Sequence, residues 1–156
     1  CNAGFKGRKG TLYEGGIRVP FIVNQPGMVP IQTLDNLIYF PDMMPTLAAL
    51  AKGTKHLPKQ INGINILPLF YGKQVDTDNR LLYWEFPGKQ RAARKGDWKC
   101  VTIHPNQPLE LYNLKEDPEE TNNLAKKYPR RVKEFDEEMQ RMHIPTPNWP
   151  QPGEQF

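Results

Sequence analysis

The chain is 156 residues long, 38% hydrophobic and 24% charged, with a net charge of +4. That length holds one domain or two small ones. No window approaches a membrane-spanning length, the amino terminus has no apolar signal core, and no familiar nucleic-acid-binding pattern appears. Two widely separated cysteines make neither a disulfide framework nor a metal motif. Charge is uneven: residues 1–77 carry eight Lys/Arg against four Asp/Glu, and residues 78–156 thirteen against thirteen. A modest basic excess helps attract anionic substrates.

Cys1 to Lys6 reads as a short entry loop. Gly7 to Pro20 (Gly-Arg-Lys-Gly-Thr-Leu-Tyr-Glu-Gly-Gly-Ile-Arg-Val-Pro) packs four glycines, two arginines, a lysine and a glutamate into one stretch. Glycine lets a backbone approach a bound group, and Lys and Arg supply donors for an oxyanion. The stretch is therefore a candidate anion loop at the rim of a sheet, although the same composition suits a solvated turn. Val19 to Asn24 is a continuous apolar run that predicts a strand buried on both faces. Gln25-Pro26-Gly27 predicts a type II turn. A connector follows, with a short strand around Asp35–Ile38.

Phe40 to Lys52 predicts a helix with Met43, Met44, Leu47, Leu50 and Ala51 on its apolar face, Asp42 as N-cap and Gly53 as C′ residue. His56 falls in a loop, and Gly63 to Lys73 reads as a short helix or turn ended by Gly72. The polar stretch Gln74–Asn79 reads as a linker, dividing the chain into 1–77 and 78–156.

From Arg80 the apolar period becomes two. Strands are expected at Leu81–Phe86, Gln90–Arg94, Trp98–Ile103 and Glu110–Asn113, with turns at Pro87-Gly88 and Lys95-Gly96-Asp97. Such a sheet needs a cover. Asp117-Pro118-Glu119-Glu120 has the form of a helix N-terminus with a capping box. A longer helix begins at Tyr128-Pro129 and carries Val132, Phe135, Met139 and Met142 on one face. His143 to Phe156, with four prolines, reads as extended chain. This second part is a small α+β unit, an antiparallel sheet of about four strands covered by the carboxy-terminal helix.

The order Gly7-x-Lys9-Gly10-Thr11-x-Tyr13-Glu14-Gly15-Gly16-x-Arg18-x-Pro20 closely resembles the second signature of the type I sulfatases, the formylglycine-dependent sulfate-ester hydrolases. Asp42-Met43-Met44-Pro45-Thr46-Leu47, the Gly63–Lys73 segment, Arg94-Lys95-Gly96-Asp97-Trp98-Lys99 and Leu111 to Ala125 are similar to later stretches of the same family, in the same order. The resemblance runs from Gly7 to about Met142. It implies an α/β architecture, the carboxy-terminal portion of an alkaline-phosphatase-like sulfatase fold followed by the small α+β subdomain.

It also implies that Lys9 contacts the sulfate group of the substrate and, by position only, that His104 takes part in sugar recognition. The substrate it implies is a sulfated small molecule or glycan, in a periplasmic, secreted or lysosomal setting by family habit. The family's cofactors are calcium and formylglycine. Neither cysteine continues as the Cys/Ser-x-Pro-x-Arg motif that yields formylglycine, and the aspartates that hold calcium are absent. The expectation is a carboxy-terminal part that supplies a lysine loop without nucleophile or metal ligands, inactive by itself.

The remaining candidates have structural readings. Arg18 and Glu14 are expected to pair and brace the loop. Lys89, Arg91, Arg94, Lys95 and Lys99 form a basic cluster, read as a mostly solvated surface because alternate residues of a strand face opposite sides. His56 and His143 are read as surface residues. A non-catalytic module for anionic glycans is the alternative function, and a phosphate- or phosphonate-ester hydrolase of the same superfamily a third. A buried strand left with bare edges also predicts self-association through exposed strands.

Overall fold

A computed structural model describes residues 2–86, 90–148, 150 and 153–155. The expected turn at Pro87-Gly88, the cluster member Lys89 and the thiol of Cys1 lie outside the described residues. The chain forms two compact units, one of residues 1–19 and 80–156, the other of residues 20–79. A division at residue 77 does not describe this arrangement, because the amino-terminal loop packs on the carboxy-terminal sheet.

The first unit is a four-stranded antiparallel meander, in the order β1 (Leu81–Phe86), β2 (Gln90–Lys95), β3 (Trp98–Thr102) and β4 (Glu110–Asn113). Gly96, at φ +55°, makes the β2–β3 turn, where a left-handed residue matches the strand twist. Register pairs Ala93 with Cys100 and Cys100 with Leu111. These three pack beneath Phe135 and Met139 of α4 (Pro129–Met142), which starts with proline at its first position. The helix thus covers one face, as its apolar spacing implies. Burial pushes the free Cys100 thiol up to about 12.

The second face has a cover that periodicity does not reveal. Ala92, Val101 and Tyr112 pack against Leu12 and Tyr13, which lead into the short α1 (Glu14–Ile17). The two alanines at the centre of β2 present only methyl groups to either side, which leaves room for both covers.

The 117–120 stretch does not form the expected helix. Asp117 still behaves as a cap, accepting hydrogen bonds from the Thr121 and Asn122 amides. Glu120, however, is completely buried and has a left-handed backbone, φ +56°. Its side chain is drawn into the core, and no helix passes through such a residue.

The second unit contains a 3₁₀ turn at Phe40–Asp42, α2 (Met43–Leu50), a further 3₁₀ turn at Thr54–His56 and α3 (Leu67–Phe70). Its buried centre includes Ile66, Leu69 and Thr46. Asp42 accepts from the backbone N–H of Tyr39 and of Ile64, and the Thr46 hydroxyl accepts from that of Ile66. The Asp-x-x-Pro-Thr segment is therefore an anchor for residues 64–66. Pro45 and Thr46 are the buried side of α2, whereas Met44, Leu47 and Leu50 are exposed. The anticipated apolar face exists, but no described element covers it.

Val19–Asn24 forms no strand. Its apolar composition favours one, but no described strand pairs with it, and Val19, Phe21 and Ile22 are exposed. Asp35–Ile38 is likewise not a strand; the Leu37 amide is held by the Thr77 hydroxyl. The turn at residues 25–28 does form, with Gly27 at φ +76° and the Met28 amide bonded to the Gln25 carbonyl. Gly72 ends α3 at φ +72°.

The C′ position of α2 is Lys52, at φ +57°, rather than Gly53. Lys52 N–H reaches Ala49 O and Gly53 N–H reaches Ala48 O, the two bonds of a Schellman closure. A non-glycine residue in that conformation carries a steric cost. Lys52→Gly is expected to raise stability by about 1 kcal/mol, measured by chemical denaturation; an unchanged midpoint would contradict this account of the helix end.

Candidate functional site

The glycines of the 7–20 loop are dictated by close backbone approach. A Cβ on Gly16 would stand 2.0 Å from the Thr11 carbonyl oxygen, and one on Gly15 would stand 2.6 Å from that of Lys6. Gly7 and Gly10 have φ of +82° and +90°. The Thr11 hydroxyl closes the turn, donating to Arg8 O at 2.9 Å and accepting from Arg8 N–H at 3.2 Å. The result is a tight reversal with Lys9 at its apex. Lys9 is exposed and makes no hydrogen bond or ion pair among the described residues, so its ammonium is available to an anion.

The face of the sheet under the loop is a polar bed. Alternation puts Gln90, Ala92 and Arg94 on this side of β2, Lys99 and Val101 on β3, and Glu110 and Tyr112 on β4. The Gln90 amide donates to Gly10 O at 2.9 Å and accepts from Leu12 N–H at 3.2 Å. Lys99, fully buried, lies 2.9 Å from Glu14 and 2.9 Å from Glu120. Arg94 approaches Glu14 at 3.8 Å, and Glu120 also accepts the Glu14 amide at 2.7 Å. Burial holds the Glu120 carboxyl above its ordinary range, although Lys99 opposes the shift.

At the other edge, one oxygen of Glu110 accepts from Tyr112 at 2.6 Å, Tyr13 at 2.7 Å and Lys6 at 3.2 Å. Burial raises its carboxyl, but these donors together hold it below the ordinary value. Burial, reinforced by Glu110, pushes both tyrosines up, so they remain neutral donors.

Several expectations change here. Glu14 pairs with Lys99 and Arg94, not with Arg18, which instead lies over the Phe5 ring. Lys99 is fully buried rather than a solvated cation, because an acidic loop residue distant in sequence descends onto it. Arg91 faces Asp136, and Lys95 is exposed. His143 is no free surface residue: its ring nitrogens stand 2.5 Å from Glu85 and 2.6 Å from Glu154. The Tyr83 hydroxyl bonds the same Glu85 oxygen.

His104 is exposed, and its carbonyl accepts from the Thr102 hydroxyl. It follows β3 at the end of the sheet where β2 begins with Gln90. Antiparallel order therefore brings the Lys9 loop and the His104 loop to the same end. Among the described residues, no three of His, Cys, Asp and Glu gather as metal ligands. The calcium site of the resemblance does not fit these residues, and what this segment offers chemically is cationic.

A glycine-braced cationic loop seated on an α4-backed meander is the carboxy-terminal part of an alkaline-phosphatase-like sulfatase. The chain belongs to the sulfatase family: residues 5–144 match the family described as N-sulphoglucosamine sulphohydrolase, C-terminal. A sulfatase of Formosa agariphila is 32% identical over 82% of this chain and 28% of its own length. Arylsulfatase K of Gallus gallus is 30% identical, over 82% of this chain and 26% of its own. The crystal structure of Ps i-CgsB in complex with k-i-k-neocarrahexaose matches with a TM-score of 0.78 at 25% identity, across 95% of this chain and 34% of that one. The chain thus spans about a third or less of each of these three proteins. The family hydrolyses sulfuric esters.

Two outcomes follow from the buried charges. Lys99→Met leaves two carboxylates facing each other in the core and is expected to cost about 3–5 kcal/mol. Denaturation measures this, and a loss under about 1 kcal/mol would mean that Lys99 does not hold the loop. His143 has its pKa raised: burial lowers it, but the two carboxylates more than compensate. A raised pKa stabilises the folded tail fully below the free value of about 6.5, and that contribution is lost as pH rises through the folded value. Tryptic cleavage after Arg141 should accelerate through that window, and His143→Gln should flatten the profile. Equal cleavage of parent and variant at every pH would refute the clasp.

Proposed function

We propose that this segment is the sulfate-gripping part of an enzyme that hydrolyses sulfate esters of a carbohydrate. The observation that carries this is Lys9: exposed, without a partner among the described residues, and held at the apex of a loop whose backbone is fixed on both sides. Its ammonium takes one anionic oxygen of the sulfate ester and stabilises the charge that develops as the S–O bond breaks. In this reading His104, exposed at the same end of the sheet, contacts the sugar. The support for a glycan comes from relatives, among them Ps i-CgsB, whose structure holds a neocarrahexaose.

Formylglycine and calcium are proposed for the native protein, on residues other than those of this segment, since no Cys/Ser-x-Pro-x-Arg occurs in the 156 residues. Intact mass and a peptide map of the protein from its source test that. In the native protein, Lys9→Ala is expected to lower kcat/KM for 4-nitrophenyl sulfate by roughly 100-fold or more, as for loss of one preorganised donor to a developing oxyanion. Parental activity in Lys9→Ala would overturn the assignment.

A further inference from the structure

We propose that Gln90 is a positioning residue for Lys9, a role that rests on Lys9 being the sulfate contact. Gln90 is the first residue of β2 and is 8% exposed. Its side-chain amide spans Thr11: Nε2 donates to the carbonyl before it, at Gly10, and Oε1 accepts the N–H after it, at Leu12. A primary amide offers one donor and one acceptor in a single plane, so it serves the loop as a neighbouring strand would. The bond to Leu12 is buried and the bond to Gly10 partly so, which strengthens them relative to bonds in water.

The two residues beside Lys9 are then held from different sides. Arg8 is closed onto Thr11 by the threonine hydroxyl, and Gly10 is gripped by Gln90. Lys9 itself carries none of this load. Its backbone is fixed while its ammonium meets no partner among the described residues, the arrangement a preorganised donor needs. The Lys99 cluster grips residue 14, further from the lysine, and its removal threatens folding. Gln90 acts next to the lysine, and its loss leaves the Ala92–Val101–Tyr112 packing in place. The residue is therefore separable from stability in a way that Lys99 is not.

The test uses the native protein, with 4-nitrophenyl sulfate as substrate and inorganic sulfate as inhibitor. Gln90→Ala should lower kcat/KM roughly 10- to 100-fold, as for a misplaced catalytic group, and weaken sulfate inhibition. Because Gln90 acts through Lys9, the double variant Lys9→Ala/Gln90→Ala should be no slower than Lys9→Ala alone. Gln90→Glu keeps the acceptor for Leu12 but, when ionised, cannot donate to Gly10. Its activity relative to the parent should climb as pH falls and the carboxyl protonates, a profile that damage to the fold would not give.

Full activity in Gln90→Ala, multiplicative losses in the double variant, or a pH-independent Gln90→Glu ratio would each overturn the role. If Lys9→Ala were fully active, the reading of Lys9 would fall first and this proposal with it. An impaired Lys9→Ala beside a normal Gln90→Ala would sink this proposal alone.

Discussion

The first unit depends on one buried cation. Lys99 has no access to water, and its charge is tolerable only because Glu14 and Glu120 both reach it. Moving an ammonium out of water costs several kcal/mol unless partners surround it. Those partners come from opposite ends of the unit, one from the 7–20 loop and one from the loop after β4. With Arg94 beside them, two cations face two carboxylates. Such a cluster adds little net stability over an apolar core, but it admits only one seating of the loop on the sheet.

Everything polar on that face follows the same logic. Gln90 and Arg94 flank Ala92 on β2, and Glu110 stands beside Tyr112 on β4. The apolar residues at the centre bury Leu12 and Tyr13, while the polar ones around them take up the backbone and charges of the loop. A turn with closely approached glycine carbonyls cannot rest on hydrocarbon alone, because its peptide groups need partners. The sheet supplies them in register, and the lysine at the apex is left outside.

Much of this was legible in the sequence. The four strands, α4 with its Phe135–Met139 stripe, the Gly27 turn and the Gly72 stop follow from periodicity and turn chemistry. The family resemblance rests on the glycine loop itself. What was hidden shares one cause: the deciding partner lies far away in sequence. Lys99 and Glu110 alternate with apolar residues, which in an antiparallel strand ordinarily marks a solvent face, and Gln90 sits between Lys89 and Arg91 in a polar run. Nothing local says that a loop some 78 to 104 residues away covers them. Glu120 has ideal capping-box spacing, yet its pairing with Lys99 wins. Val19–Asn24 and the Met44–Leu47–Leu50 face have the composition of buried elements, but burial is a property of neighbours as well as of residues.

The distances in sequence have a consequence for the order of events during synthesis. The residues that shape the Lys9 turn are spread from Gln90 to Glu120, so a ribosome must translate about four-fifths of this segment before the turn has its full support. A nascent chain cut short before Glu120 would carry the complete glycine motif in an unshaped state. Messages truncated in that interval would make proteins with the signature but without its geometry.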